Sequence, residues 1–228
     1  MRPLHYALFS TIVATLAAGP ADTSHAAPPG TFSQTPTGPA SDAVWVDAHL
    51  GFTFGDIITL DESTAISGND QLAPAFGLAV YYRTARFDFG GLLEHIGSFG
   101  FSGLERTNRT GGQFRVAASA RWRYIDEHWG SLFLRVSPGL ALLRHSDPMR
   151  LQMAKIRGEN FDHTVTEGLT YAFSIGFDFG TSVYLSKSLA LSAHLDIVTA
   201  STAVAVAGSE VDYRTIRGLF TLGLEWRL

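Results

Sequence analysis

The sequence predicts an all-β protein, an eight-stranded antiparallel up-and-down transmembrane β-barrel, and three observations carry that prediction. From Val44 to Leu228, eight segments alternate apolar with small or polar side chains at a period of two, the pattern of strands with two unlike faces. One face of these segments is apolar, while the other gathers arginines and carboxylates. The connections alternate long and short, as they do when short turns face one compartment and longer loops the other.

The expected strands are 44–55, 74–84, 86–97, 113–125, 131–143, 168–185, 189–198 and 213–228, each matching or exceeding the roughly 9 to 11 residues a tilted membrane strand needs. In the first, Val44, Val46, Ala48, Leu50, Phe52 and Phe54 oppose Trp45, Asp47, His49, Gly51 and Thr53. A tight turn at Ala85 joins the second and third, with Tyr82 and Phe87 outward and Arg83 and Asp88 inward. In the fourth, Phe114, Val116, Ala118, Ala120, Trp122 and Tyr124 oppose Arg115, Ala117, Ser119, Arg121 and Arg123. The fifth contains Pro138, which cannot donate to a sheet ladder, and a bulge is expected there. The sixth and seventh carry Asp178, His194 and Asp196 on the inward face. In the last, Phe220, Leu222, Leu224, Trp226 and Leu228 share one parity, while Leu219, Thr221, Gly223, Glu225 and Arg227 share the other. The long connections are 56–73, 98–112, 144–167 and 199–212; the short ones lie at Ala85, 126–130 and 186–188.

Ahead of the barrel, residues 1–26 read as a secretory signal. Arg2 precedes an apolar run from Ala7 to Ala18, and Ser24-His25-Ala26 offers a small-x-small cleavage site, with cleavage after Ala21 as the alternative. Residues 27–43 hold four of the nine prolines and little that could be buried, the composition of a disordered leader. The domain proper is 44–228, too short for a large porin. With no cysteine there is no disulfide, thiolate metal site, catalytic thiol or lipoprotein anchor. Only Lys155 and Lys187 are lysines among 17 basic residues; arginine, whose planar fork holds carboxylates bidentately, suits partly buried ion pairs. The net charge of −4 gives no reason to expect a nucleic-acid partner.

The final strand, GLFTLGLEWRL, resembles the terminal assembly signal of bacterial outer-membrane barrels, with Trp226 two positions from the end and Leu228 where such proteins usually close on Phe. Across 44–228 the architecture resembles the OmpA/OmpX-type eight-stranded outer-membrane β-barrel superfamily. That resemblance implies a bacterial outer-membrane location and both ends in the periplasm. It also implies partners in outer-membrane lipids and lipopolysaccharide, and in the outer-membrane assembly machinery through the C-terminal strand. A monomer is expected. A soluble lipocalin-type barrel is the alternative; against it stand the apolar outer face and an aromatic girdle of Tyr82, Phe87, Trp122, Tyr124 and Trp226 at the periplasmic strand ends.

An eight-stranded barrel is just wide enough for side chains to fill it. Seven arginines (83, 115, 121, 123, 135, 217, 227) and six carboxylates (47, 88, 94, 178, 196, 225) point inward by parity. If Thr84 faces Phe87, Arg83 faces Asp88, and one register then sets Asp88 against Arg121 and Glu94 against Arg115. Asp178 is expected opposite His194 or Asp196, with Arg135 as counter-ion. The expectation is an ion-pair plug built from Arg83, Asp88, Glu94, Arg115, Arg121, Arg135, Asp178, His194 and Asp196, with a proton or ion path as the functional alternative.

The search for chemistry comes up short. The His-x-Ser of a lipid A deacylase is here His194-Leu195-Asp196, a carboxylate in place of the nucleophile. His145-Ser146-Asp147 reads as ordinary turn residues, and Asp61, Glu62, Asp162 and His163 as a solvated acidic rim. Asn108-Arg109-Thr110 matches a glycosylation acceptor that carries no meaning in this setting. No zinc, phosphate-loop or dinucleotide pattern occurs, so no cofactor or metal and no enzyme activity are expected. In the 144–167 loop, Arg144, Arg150, Lys155 and Arg157 form a candidate contact for lipid phosphate. The expected role is structural or surface interaction: envelope integrity, adhesion or lipopolysaccharide contact. A lipid A-modifying enzyme and a small-solute porin or transport barrel are the alternatives.

Overall fold

The computed structural model describes residues 42–61, 64–67, 73–97, 111–160 and 168–228. The signal, the leader up to residue 41, Glu62, Asn108 to Thr110, Asp162 and His163 lie outside the described residues; the last leader position, Ala43, opens β1. The strands are β1 (Ala43–Leu60), β2 (Thr64–Ser67), β3 (Pro74–Arg83), β4 (Phe87–Ile96), β5 (Gly112–Glu127), β6 (Gly130–Arg144), β7 (Leu169–Ser186), β8 (Leu189–Val206) and β9 (Ser209–Arg227); one helix, α1 (Asp147–Ile156), joins β6 to β7. Every pairing is antiparallel and each barrel strand bonds to its neighbour in sequence. β1 also pairs with β9, from Trp45 opposite Arg227 to Leu60 opposite Tyr213, and so closes a ring of eight. β2 adds only a short hairpin on the far end of β1. No helix among the described residues is long and apolar enough to cross a membrane.

The predicted registers are those of the structure: Arg83 opposite Asp88, Asp88 opposite Arg121 and Glu94 opposite Arg115. Asp178 pairs directly with Asp196, and His194 with Gly180. Two expectations need correction. Pro138 sits in no bulge: the β5–β6 register is the same on both sides of it and the ladder omits the rungs opposite Pro138 and Ser137, while β7 still pairs with Pro138 through Ile175. Losing a donor on one side is tolerated because the other edge holds the strand in place. Bulges fall elsewhere, between Thr53 and Gly55, between Arg123 and Ile125, and between Tyr184 and Ser186. Finally, 199–212 is no loop: β8 and β9 continue to a two-residue turn at Ala207 and Gly208, whose φ of 48° and 81° suits the primed turns that match strand twist.

The strands overshoot the membrane at the long-loop end, and there the faces exchange polarity. Along most of the barrel the outside is apolar: Leu50, Phe76, Phe89, Val116, Phe177 and Leu222 are all exposed. In the overshoot Ser201, Glu210, Asp212 and Arg214 point out, while Ile58, Leu60, Val204, Val206, Val211 and Tyr213 form a buried apolar cluster inside. The first pattern fits lipid outside and polar packing within; the second fits water outside.

Helix α1 closes this end. The Ser146 hydroxyl accepts from the Met149 N–H, Asp147 occupies the first turn and Lys155 the last, a well-capped start and a charge order that favours the helix dipole. Met149 and Met153 bury their side chains in the apolar cluster.

Candidate functional site: the buried ion network of the barrel

Toward the short-turn end, Arg121 is the hub. Its guanidinium lies 2.8 Å from Glu225, 3.2 Å from Asp47 and 3.9 Å from Asp88. It also donates to the Tyr81 hydroxyl at 3.0 Å and lies over the Phe133 ring, 4.0 Å from its centroid. Glu225 holds a second arginine, Arg83, at 3.1 Å and accepts from the Ser182 hydroxyl. Asp88, fully buried, stands 3.8 Å from Arg83 and 3.2 Å from Arg123, and Arg123 in turn pairs with Asp126 at the turn. Trp45 lies under Arg83, 4.2 Å from its guanidinium carbon.

Midway along the lumen, Arg135 bridges Asp178 at 3.1 Å and Asp196 at 2.7 Å. Cross-strand like charges repel, so the arginine is what allows Asp178 and Asp196 to stand opposite each other. His194 links this group to the first, with Nδ1 2.8 Å from Asp178 and Nε2 3.2 Å from Asp47. Arg115 pairs with Glu94 at 3.0 Å and donates to Ser137. Glycines make room: a Cβ on Gly180 would fall 2.2 Å from the Phe133 ring, and one on Gly176 2.5 Å from Arg115.

All nine residues expected in the network are buried within it. Other members were not assigned to it. His49, on the inward face by parity, stands between Asp47 and Glu94. Asp56, which was read as part of a loop, is buried and paired with Arg217 at 3.3 Å. Arg227, counted as inward, is exposed at the end of β9, where the ring opens to water. Of the girdle, Tyr82, Phe87, Trp122 and Tyr124 are exposed at the short-turn end, Trp226 is half-buried, and Trp129 in the β5–β6 turn joins them.

The basic loop residues scatter when α1 forms. Arg150 turns inward and is almost buried, 3.5 Å from Asp147; Arg157 at the helix end pairs with Asp61 at 3.3 Å. Lys155 stays exposed and Arg144 is half-buried at the end of β6.

Just beyond β6, His145 is buried beneath α1, its Nε2 3.1 Å from the Thr170 hydroxyl and its ring edge-on to Tyr213. Burial, with Arg217 and Arg150 nearby, pulls the imidazole down from 6.5 to about 4. The folded end thus accepts only the neutral ring: its stabilisation is complete above 6.5 and is lost as pH falls toward 4. Lowering the pH through this window should lower the amide protection factors in α1, exchange being referred to the intrinsic rate at each pH, and His145→Gln should flatten that dependence.

No family model matches the chain, and no curated protein does. Among solved structures, Neisserial surface protein A is similar at 12% identity and a TM-score of 0.50, over 81% of this chain and 97% of that one. The outer membrane protein OprG of Pseudomonas aeruginosa aligns at 8% identity, TM-score 0.48, over 84% and 98%. Ail, the attachment invasion locus protein of Yersinia pestis, aligns at 12%, TM-score 0.43, over 83% and 100%. The chain has the fold of the eight-stranded outer-membrane β-barrels; a closed barrel with an apolar belt resides in a membrane, and for this fold that is the bacterial outer membrane.

Proposed function

We propose that this protein is a non-conducting, non-enzymatic outer-membrane barrel whose work is done at its outer end, where the overshooting strands and α1 meet the surroundings. The observation that carries this reading is the lumen: Arg121, Arg135, Asp178 and Glu225 are all at most 3% exposed, and the apolar cluster under α1 adds a dry layer above them. A pore needs a continuous file of water, whereas these groups fill the lumen and are ion-paired with one another. The exposed outer rim, with Lys155 on α1 and acidic Glu210 and Asp212 on β9, suits surface contact, including contact of Lys155 with lipopolysaccharide phosphate. The periplasmic end of β9 suits engagement by the assembly machinery, and a single closed ring suits a monomer.

The test is conductance of the folded full chain in planar bilayers. The expected result is a quiet membrane with at most rare, small openings. Steady ion-selective channels that change with Arg121→Ala or Arg135→Ala would replace this reading with a transport barrel.

A further inference from the structure

Asp47 and His49 lie two apart on β1 and both point inward, and His194 reaches them from β8 across the intervening β9. One ligand atom from each falls within 4.8 Å of those of the other two, and all three residues are buried. The two imidazole centroids are 5.2 Å apart.

Three features set this group apart from an ordinary ion pair. Nδ1 of His194 lies 2.8 Å from Asp178 Oδ2; the N–H there donates, which leaves Nε2 of the neutral ring with a lone pair. That Nε2 faces a carboxylate oxygen, Asp47 Oδ2, at 3.2 Å, and two acceptors at such a distance repel unless a proton or a metal cation lies between them. Second, His49 makes no hydrogen bond through either ring nitrogen: Nδ1 is 3.7 Å from Asp47 and Nε2 4.0 Å from Glu94, beyond bonding range. Third, glycines hold the space open, because a Cβ on Gly77 would fall 2.2 Å from His49 Nε2 and one on Gly223 2.7 Å from Asp47 Oδ1. The surrounding charges leave a deficit as well. Apart from the Arg217–Asp56 pair, the barrel strands bury six carboxylates against five arginines in this network.

We propose that Asp47, His49 and His194 bind one first-row divalent cation, zinc foremost. Two imidazoles and a carboxylate form a borderline donor set that suits zinc and its neighbours; calcium and magnesium prefer oxygen throughout. Asp178 orients His194 by accepting its other N–H, the arrangement that fixes the tautomer of metal-bound histidines. Buried under the apolar cluster, the ion would have a structural task, tying β1 to β8. A barrel without it could still be non-conducting, so this proposal and the plugged-lumen reading fail separately.

The experiment starts from the tag-free full chain, unfolded in urea and refolded into detergent micelles with Zn²⁺, with Co²⁺ or with chelator, then dialysed free of loose metal. Elemental analysis should find one zinc per folded barrel, and the cobalt form should show visible ligand-field absorption. His49→Ala and His194→Ala should each lower retained metal at least about tenfold, and Asp178→Asn should weaken binding by about 10- to 100-fold, whereas His145→Ala should retain it. Where a histidine variant fails to fold, as read from gel mobility with and without boiling, X-ray absorption of the wild-type zinc form decides by counting two imidazole ligands. Wild-type barrel that folds with zinc and holds none after dialysis would overturn the proposal. So would metal held by both histidine variants, or an X-ray spectrum without imidazole. The carboxylates would then be held by protonated imidazoles.

Discussion

Replacing Arg121 by alanine is expected to be the most damaging single change in the barrel. Breaking a buried pair costs about 3 to 5 kcal/mol because the surviving charge is stranded away from water, and Arg121 serves three carboxylates at once. Glu225 and Asp88 retain other arginines, but Asp47 is left with no arginine, only its two histidines and the Ser192 hydroxyl. The loss of ring contacts with Tyr81 and Phe133 adds to the damage, each such contact contributing about 1 kcal/mol or more when desolvated. Denaturant unfolding in a lipid or detergent host should therefore show a loss of about 5 kcal/mol or outright failure to fold. Adding Asp88→Ala removes one of the three anions that Arg121 balances and should restore part of the loss through the coupling expected of neighbours. Strictly additive losses would show that the two residues act independently despite their shared register.

The second large effect is expected at Arg135. Among the described residues it is the one arginine within 4 Å of Asp178 and Asp196, which face each other across β7 and β8. Arg135→Ala leaves these like charges opposed inside a low-dielectric barrel, and a loss of about 3 to 5 kcal/mol is expected. Asp196→Asn in that background should recover much of it by removing the repulsion. Arg135→Lys should recover little, since a single ammonium cannot reproduce the fork that spans both carboxylates. Equal stability of the lysine variant and the wild type would argue that charge alone, and not the bridging geometry, holds the pair.

Much of this was legible because a membrane barrel writes its two environments into alternate residues. Parity alone sorted Arg83, Asp88, Glu94, Arg115 and Arg121 to one face, and the tight turn at Ala85 tied their registers together. The reading faltered where parity breaks or where the environment changes. Phe54, the extra residue of the β1 bulge, flips the faces beyond it, so that Asp56, Ile58 and Leu60 point inward although continuous alternation would send them out. Along β8 and β9 the alternation persists, but its meaning reverses above the membrane, apolar within and polar without. A search for apolar-outward strands therefore stops at Val198 and resumes at Tyr213. The helix in the 144–167 connection left signals in Ser146, Pro148 and the Met149–Met153 spacing, but its burial could not be foreseen without knowing that an apolar cavity lay beneath it.

By itself, then, the sequence determined the class of fold, the ring of eight strands and the sign of each face, because period-two patterning follows directly from backbone geometry and the choice of lipid or polar surroundings. The tertiary structure decided which charges meet. Pairs on adjacent strands follow from register, but Arg121 with Glu225, His194 with Asp47, and His49 beside His194 join strands that are not neighbours in the ring, across a lumen whose width and filling depend on all eight strands closing together.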